Sequence, residues 1–228
     1  MDTANNGMNG FAVPELPFGP IPEGTSLLVT GDDTAAVEAV FYHLVTARET
    51  ERSLVLATDR NGRTVNRELD RVEYGASNRS TVLTCNGPDP GCNISTVDDL
   101  VDLTGVGIQF SALVTESGAM ATPQRAGILL CSRIFNEVDD VNSVSRFLRG
   151  YFLTQLRQNG IFGVCALNTV PEIGDITGII ESIGLSFTAH IRVETTNTNQ
   201  LELHLVGSDE NKEYLTVTLP EYTHLRKA

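Results

Sequence analysis

Gly24-Thr25-Ser26-Leu27-Leu28-Val29-Thr30-Gly31-Asp32-Asp33-Thr34-Ala35-Ala36-Val37-Glu38-Ala39-Val40-Phe41-Tyr42-His43-Leu44-Val45 is the stretch from which the fold follows. Ser26 to Thr30 is a largely apolar run of strand length, the kind that parallel sheets bury on both faces. Gly31 ends it. From about Asp33 to Ala47, Val37, Val40, Phe41, Leu44 and Val45 recur at helical spacing along one stripe. Strand, glycine turn and amphipathic helix in succession open a βαβ unit, and Asp33 is suited to cap the helix by accepting an orphan N–H.

The layout is also that of a phosphate-binding loop, GxxxxGK[ST], in which backbone N–H groups cradle phosphate, a Lys reaches the outer phosphates and a hydroxyl holds Mg²⁺. Aligned on Gly31, the second glycine falls on Ala36, the Lys on Val37 and the Ser/Thr on Glu38. Gly31, Asp32, Asp33, Thr34, Ala35, Ala36, Val37 and Glu38 therefore read as a vestigial loop, with no cofactor expected. Magnitudes agree: a unit like-charge pair about 5 Å apart costs about 3 kcal/mol at an effective dielectric near 20. The helix N-terminus returns only about 0.3–1 kcal/mol to an anion, up to ~2 when partly buried. Asp32 and Asp33 thus repel the phosphate that the loop would have held.

The chain has 228 residues, 41% hydrophobic and 20% charged, which suits one globular domain with a large core. Its 29 Asp and Glu against 16 Lys and Arg give a net charge of −13, and every basic residue except Lys212 and Lys227 is Arg. Such a surface repels polyanions, so nucleic acid and membrane surfaces are not expected as partners. No secretory signal or membrane-length apolar run is present, so a cytoplasmic location is expected. Cys131 and Cys165 sit in apolar runs, while Cys85 and Cys92 flank a Pro/Gly segment. That spacing is not a zinc pattern, and no metal is expected.

Residues 1–23, rich in Gly, Asn and Pro, read as a flexible leader and entry segment, and 24–228 as a single domain. Further strands are expected at Leu54 to Ala57, Thr81 to Cys85, Gly127 to Cys131 and Phe162 to Leu167. Helices are expected at Asn61 to Val72 (polar and weakly packed), Thr104 to Ser117, near Phe135, at Val141 to Gln158 as the longest, and at Ile173 to Ile183. Asn159-Gly160 closes the long helix as a C-cap. Over 186–219 the period changes to two, which signals antiparallel strands with one wet face. The expected class is α/β: a mostly parallel central sheet flanked by helices, with antiparallel strands at its C-terminal end.

These elements resemble the RecA-like ATPases with their P-loop fold, and within them the KaiC-type branch that includes the gas-vesicle regulator GvpD. The resemblance rests on Ile21-Pro22-Glu23-Gly24 leading into the strand that ends at Gly31, and on Gly127 to Ser132, which looks like a Walker B strand with Ser132 kept. It covers roughly residues 18 to 206 by order of elements. Asp102-Leu103-Thr104-Gly105-Val106-Gly107-Ile108 and Phe147-Leu148 further resemble KaiC-like proteins of halophilic archaea, in keeping with the acidic, Lys-poor composition. The departures carry the functional expectation. Val37 stands for the Walker A Lys, Glu38 for the metal-binding hydroxyl, Asp59-Arg60 for the water-activating Glu pair, and Cys131 for the Walker B Asp. Phosphate clamp, metal contacts and water-positioning base are all altered.

The resemblance so amended implies a pseudo-ATPase without catalytic residues, a regulatory or signalling module that contacts protein partners, whether itself or an active RecA-like relative. The alternatives are an ATP/Mg²⁺-binding ATPase with a non-standard loop, in which Arg60 supplies charge, and a recombination accessory factor. A phospho-accepting receiver domain lacks its Asp at Thr84-Cys85 and its Lys at Leu167-Asn168. Asp139 and Asp140 read as caps of the long helix, His190 and His204 as wet-face residues of the terminal strands, and Arg146, Arg149 and Arg157 as a solvated helix face.

Overall fold

In the computed structural model the described residues are 10–85, 91, 93–97, 99–118, 122, 124–138, 140–169, 176–197, 200–206 and 213–226. The strand read at Ser26 is β3 (Ser26–Gly31), every residue of it buried. It is followed by α1 (Thr34–Val45), whose cap is Asp33 as expected. Then come β4 (Arg52–Ala57), α2 (Gly62–Val72), β5 (Ser80–Thr84), β6 (Ile94–Thr96), α3 (Leu103–Gly118) and β7 (Gln124–Leu129). The chain continues through α4 (Ser132–Glu137), α5 (Val141–Phe147), α6 (Leu153–Asn159), β8 (Phe162–Asn168) and α7 (Ile176–Gly184). It closes with β9 (Ala189–Asn197), β10 (Gln200–Val206), β11 (Glu213–Val217) and α8 (Pro220–Leu225). Ahead of β3, β1 (Gly10–Phe11) and β2 (Ile21–Pro22) pair as a small antiparallel ribbon.

Nine strands form one sheet in the order β11-β10-β9-β3-β8-β7-β4-β5-β6. β3 to β9 run parallel to one another, and β10 and β11 are added antiparallel. Successive residues of the parallel strands feed two separate cores, as a sheet covered on both faces requires. Leu27 and Val29 join α1, α2 and Tyr222 on one face, while Leu28 joins α3 through α7 on the other. The helices that carry the chain from β3 towards β5 thus lie on one face, and those that carry it back to β9 on the opposite face. This gives the connections a single hand, right-handed by the general rule. The reversal falls at β3 and β8, whose following helices leave to opposite faces, which makes their C-terminal ends a topological switch point.

Several expectations are corrected. Residues 10–22 are not a flexible leader: Phe11, Val13 and Leu16 are 2% exposed. Arg125, fully buried on β7, bonds Glu51, the Leu44 carbonyl and the Ala12 carbonyl, and its guanidinium carbon lies 5.3 Å from the centre of the Phe11 ring. Residues 1–9 lie outside the described residues. α2 is not weakly packed, because Val65 and Leu69 are wholly buried.

The long helix is interrupted by a π turn over Leu148–Phe152 before α6. Phe147 and Phe152, and likewise Leu148 and Leu153, are buried although five residues apart. On a regular α-helix such pairs diverge by about 140°, and the wider turn brings both onto the core face. Gly160, at φ 65°, ends the helix in the left-handed conformation that glycine favours. β1, β2, β6 and α8 are too short to have shown a period. Residues 173–175 of the helix expected at Ile173 to Ile183 lie outside the described residues. Among the described residues no helix is long and apolar enough to cross a membrane.

Candidate functional site

The turn between β3 and α1 is closed by its own side chains. A Cβ on Gly31 would lie 2.7 Å from the Val193 carbonyl oxygen and 2.9 Å from a Val37 methyl, so glycine is required by close approach. Asp33 Oδ1 accepts the Ala36 N–H at 3.1 Å, and the Val37 N–H bonds the Asp33 carbonyl at 3.0 Å. Asp33 Oδ2 accepts the Tyr222 hydroxyl at 3.0 Å from α8. Asn168, at the end of β8, donates to Thr34 Oγ1, and the Thr169 N–H bonds the Gly31 carbonyl at 2.8 Å. Ala36 and Val37 are buried inside the turn, Thr34 and Ala35 are half-buried, and only Asp32 of the eight loop residues is exposed. Two backbone donors of the turn, the Ala36 and Val37 N–H groups, are thus taken by Asp33.

One helical turn further, Glu38 is 1% exposed and takes both Nε and Nη2 of Arg60 on its Oε1, each at 2.9 Å. Burial pushes the Glu38 carboxyl above its ordinary range, and Arg60 opposes the shift by hydrogen bond and charge. Tyr42 sits on the same side of α1. Its hydroxyl is buried with no hydrogen-bond partner among the described residues, and burial, then the charge of Glu38, drives its pKa well above normal. The positions aligned with the metal-binding hydroxyl and with part of the water-activating pair are therefore bound to each other. Asp59 bonds Arg133 of α4 at 2.8 Å.

At the end of β7, Leu130 adopts φ 55°, a left-handed conformation that costs a non-glycine residue of order 1–3 kcal/mol. Thr58 Oγ1 lies within hydrogen-bond distance of the Leu129 and Leu130 carbonyls, at 2.9 and 2.8 Å. The Cys131 N–H bonds the Ala166 carbonyl at 2.7 Å. Cys131 is buried against Cys165, and that thiol contact, followed by burial, raises Cys165 well above the usual thiol range.

The open concavity lies on the other side of the switch point. A groove of about 920 Å³ runs between α7 and β9, with Asp32 and Thr169 at one end and Leu185 and Phe187 along it. On its floor Thr30 Oγ1 and His190 Nε2 are 2.7 Å apart. Burial, with the charge of Arg192 adding to it, lowers the His190 pKa. Arg192 Nε is 3.2 Å from Glu194 Oε1.

The other polar residues singled out by sequence do not converge. His190 and His204 share the wet face, on β9 and β10. Asp140 caps α5 through the Asn142 N–H, and Asp139 lies outside the described residues. Arg149 and Arg157 are more than a solvated face, since they bond the Ser182 and Ser186 carbonyls and tie the long helix to the end of α7. Among the described residues no cluster of three or more His, Cys, Asp or Glu is placed to hold a metal. Asn168 and Tyr222 were not legible as partners of the turn. They meet it from 134 and 189 residues away, with no local pattern to mark them.

A family model matches residues 24–193, from the turn before β3 into the middle of β9, and is described as a family of unknown function, DUF7504. No curated protein matches the chain.

Proposed function

The chain belongs to the DUF7504 family of unknown function, and we propose that it is a non-hydrolysing regulatory module of RecA-like, KaiC-like P-loop architecture that acts through protein partners in the cytoplasm of a salt-loving archaeon. The observation that supports this reading is the closed turn: Asp33 takes the Ala36 and Val37 N–H groups, Val37 packs against Gly31, and Glu38 is paired with Arg60. The position of the turn at a topological switch point supports descent from a ligand-binding α/β plan. Arg60, the residue that an ATPase with a non-standard loop would use on phosphate, is committed to Glu38. A recombination role is opposed by the net charge of −13.

The test is isothermal titration with ATP and a phosphate-release assay, both in molar KCl with Mg²⁺. Neither saturable binding nor turnover is expected. Micromolar binding accompanied by hydrolysis would overturn the reading.

A further inference from the structure

Among the described residues no helix beyond α7 at the β9 side lies over the wet face of β9, β10 and β11, whereas the opposite face packs Ile191, Val193, Leu201, Leu203 and Val217 into a core. On the wet face Glu194 stands directly opposite Glu202 in the β9–β10 register, and His204 stands opposite Tyr214 in the β10–β11 register. Like charges directly opposed across an antiparallel pair are destabilising. Among the described residues the basic groups beside them are His204, whose Nε2 lies 3.7 Å from Glu194 and 4.0 Å from Glu202, and Arg192, which takes one oxygen of Glu194. Tyr214 is 58% exposed, with its ring centre 4.6 Å from that of His204. Through Glu194 this face runs without a break into the groove between α7 and β9, where Asp32 and Glu181 add negative charge and Leu185, 92% exposed, adds an apolar rim.

We propose that the groove and the open face of β9 to β11 together dock an extended segment of a partner protein that carries Arg or Lys side chains beside an apolar one. The proposal rests on the reading of the chain as an interaction module and names its surface. A cation between Glu194 and Glu202 gains two carboxylates and a neighbouring aromatic ring, and relieves the repulsion of the free state. The apolar side chain covers Leu185 and Ile180 in the groove. Among the described residues four carboxylates, from Asp32, Glu181, Glu194 and Glu202, face one guanidinium, from Arg192, and this balance selects basic over acidic segments.

Fluorescence anisotropy tests it. The probes are a fluorescein-labelled peptide alternating Arg with Leu and Gly, its counterpart with Glu for Arg, and free arginine amide as competitor. The Arg peptide is expected to bind the full chain, and to bind the Glu194→Gln/Glu202→Gln double variant and Leu185→Ser at least about tenfold more weakly. A charge-matched control at exposed positions elsewhere, Glu49→Gln/Glu116→Gln, is expected to bind as the wild type does. Absence of binding at millimolar protein, an equal loss in the control, equal binding of the Glu peptide, or arginine amide binding as tightly as the peptide would each overturn the proposal. All of these readings are made without nucleotide. A failure here therefore leaves the ATP assay free to stand or fall by itself.

Discussion

Arg60 Nε and Nη2 both lie 2.9 Å from the same oxygen of Glu38, so a partly exposed guanidinium is tied to a buried carboxylate on α1. Arg60→Ala is expected to destabilise the fold by about 2–4 kcal/mol, short of the ~3–5 kcal/mol of a fully buried pair because the guanidinium is 41% exposed. The loss should depend on pH. A carboxyl whose pKa is raised in the folded state holds its proton more tightly there, so its contribution to stability falls as pH rises through that window. Burial raises Glu38 in this way and Arg60 restrains the rise. Without Arg60 the native state can still neutralise Glu38 in acid, so the penalty is smaller near pH 5 than near pH 8. Urea titrations at both values decide it, and equal penalties would refute the mechanism.

Val37→Lys, which puts a Lys where a phosphate-binding loop would carry one, is expected to damage the fold. Val37 is fully buried, with one methyl 2.9 Å from where a Gly31 Cβ would stand. An ammonium there has no partner, and a loss of about 3–5 kcal/mol is expected on the scale of uncompensated buried charge. Thermal unfolding checks the loss, and a phosphate-release assay on the variant should stay at background.

Asp33 and Tyr222 join the turn to α8 by a 3.0 Å bond. Asp33→Ala removes both the cap and this bond, and should cost about 1–2 kcal/mol. Tyr222→Phe should cost about 1 kcal/mol. Because they share one interaction, the double variant should be less destabilised than the sum of the two, by about 0.5–1 kcal/mol. A double-mutant cycle from denaturant melts measures this, and strict additivity would mean the bond contributes nothing.

Arg125 has no exposed side-chain surface and bonds Glu51, Leu44 and Ala12. Arg125→Ala leaves Glu51 without its partner and should cost about 3–5 kcal/mol. It also unfastens the β1–β2 ribbon, so limited proteolysis should cut near residues 10–20 well before the rest of the chain. Cleavage no faster than in the wild type would show that Phe11 and Leu16 hold the ribbon without it.

The central strands were legible because each is a run of apolar residues long enough to register, and α1 because its stripe and its Asp33 cap agree. Asp102 caps α3, accepting the Gly105 N–H at 3.0 Å. The ribbon of 10–22 was not legible, because its strands are two residues each and Gly and Pro around them argue for a loop. The π turn hid behind side chains that fit ordinary helical spacing nearly as well. At the turn itself the residue types argued against a phosphate clamp, but did not show the contacts that close it. Arg60, expected to supply charge in a non-standard loop, is paired with Glu38, and Tyr222 and Asn168 reach the turn from distant parts of the chain. The groove has no sequence signature, since α7 and β9 each contribute only one side of it.

The family match ends at Val193, halfway along β9, yet β10 pairs with β9 along nearly its whole length. A sheet that stopped there would present β9 as a bare edge, a template for pairing with another chain. In this protein β10 and β11 occupy that template, so the C-terminal meander acts as a guard against self-aggregation. A chain truncated after Val193 should therefore be driven towards fibrils or strand-paired oligomers, even with the closed turn at Gly31 left intact.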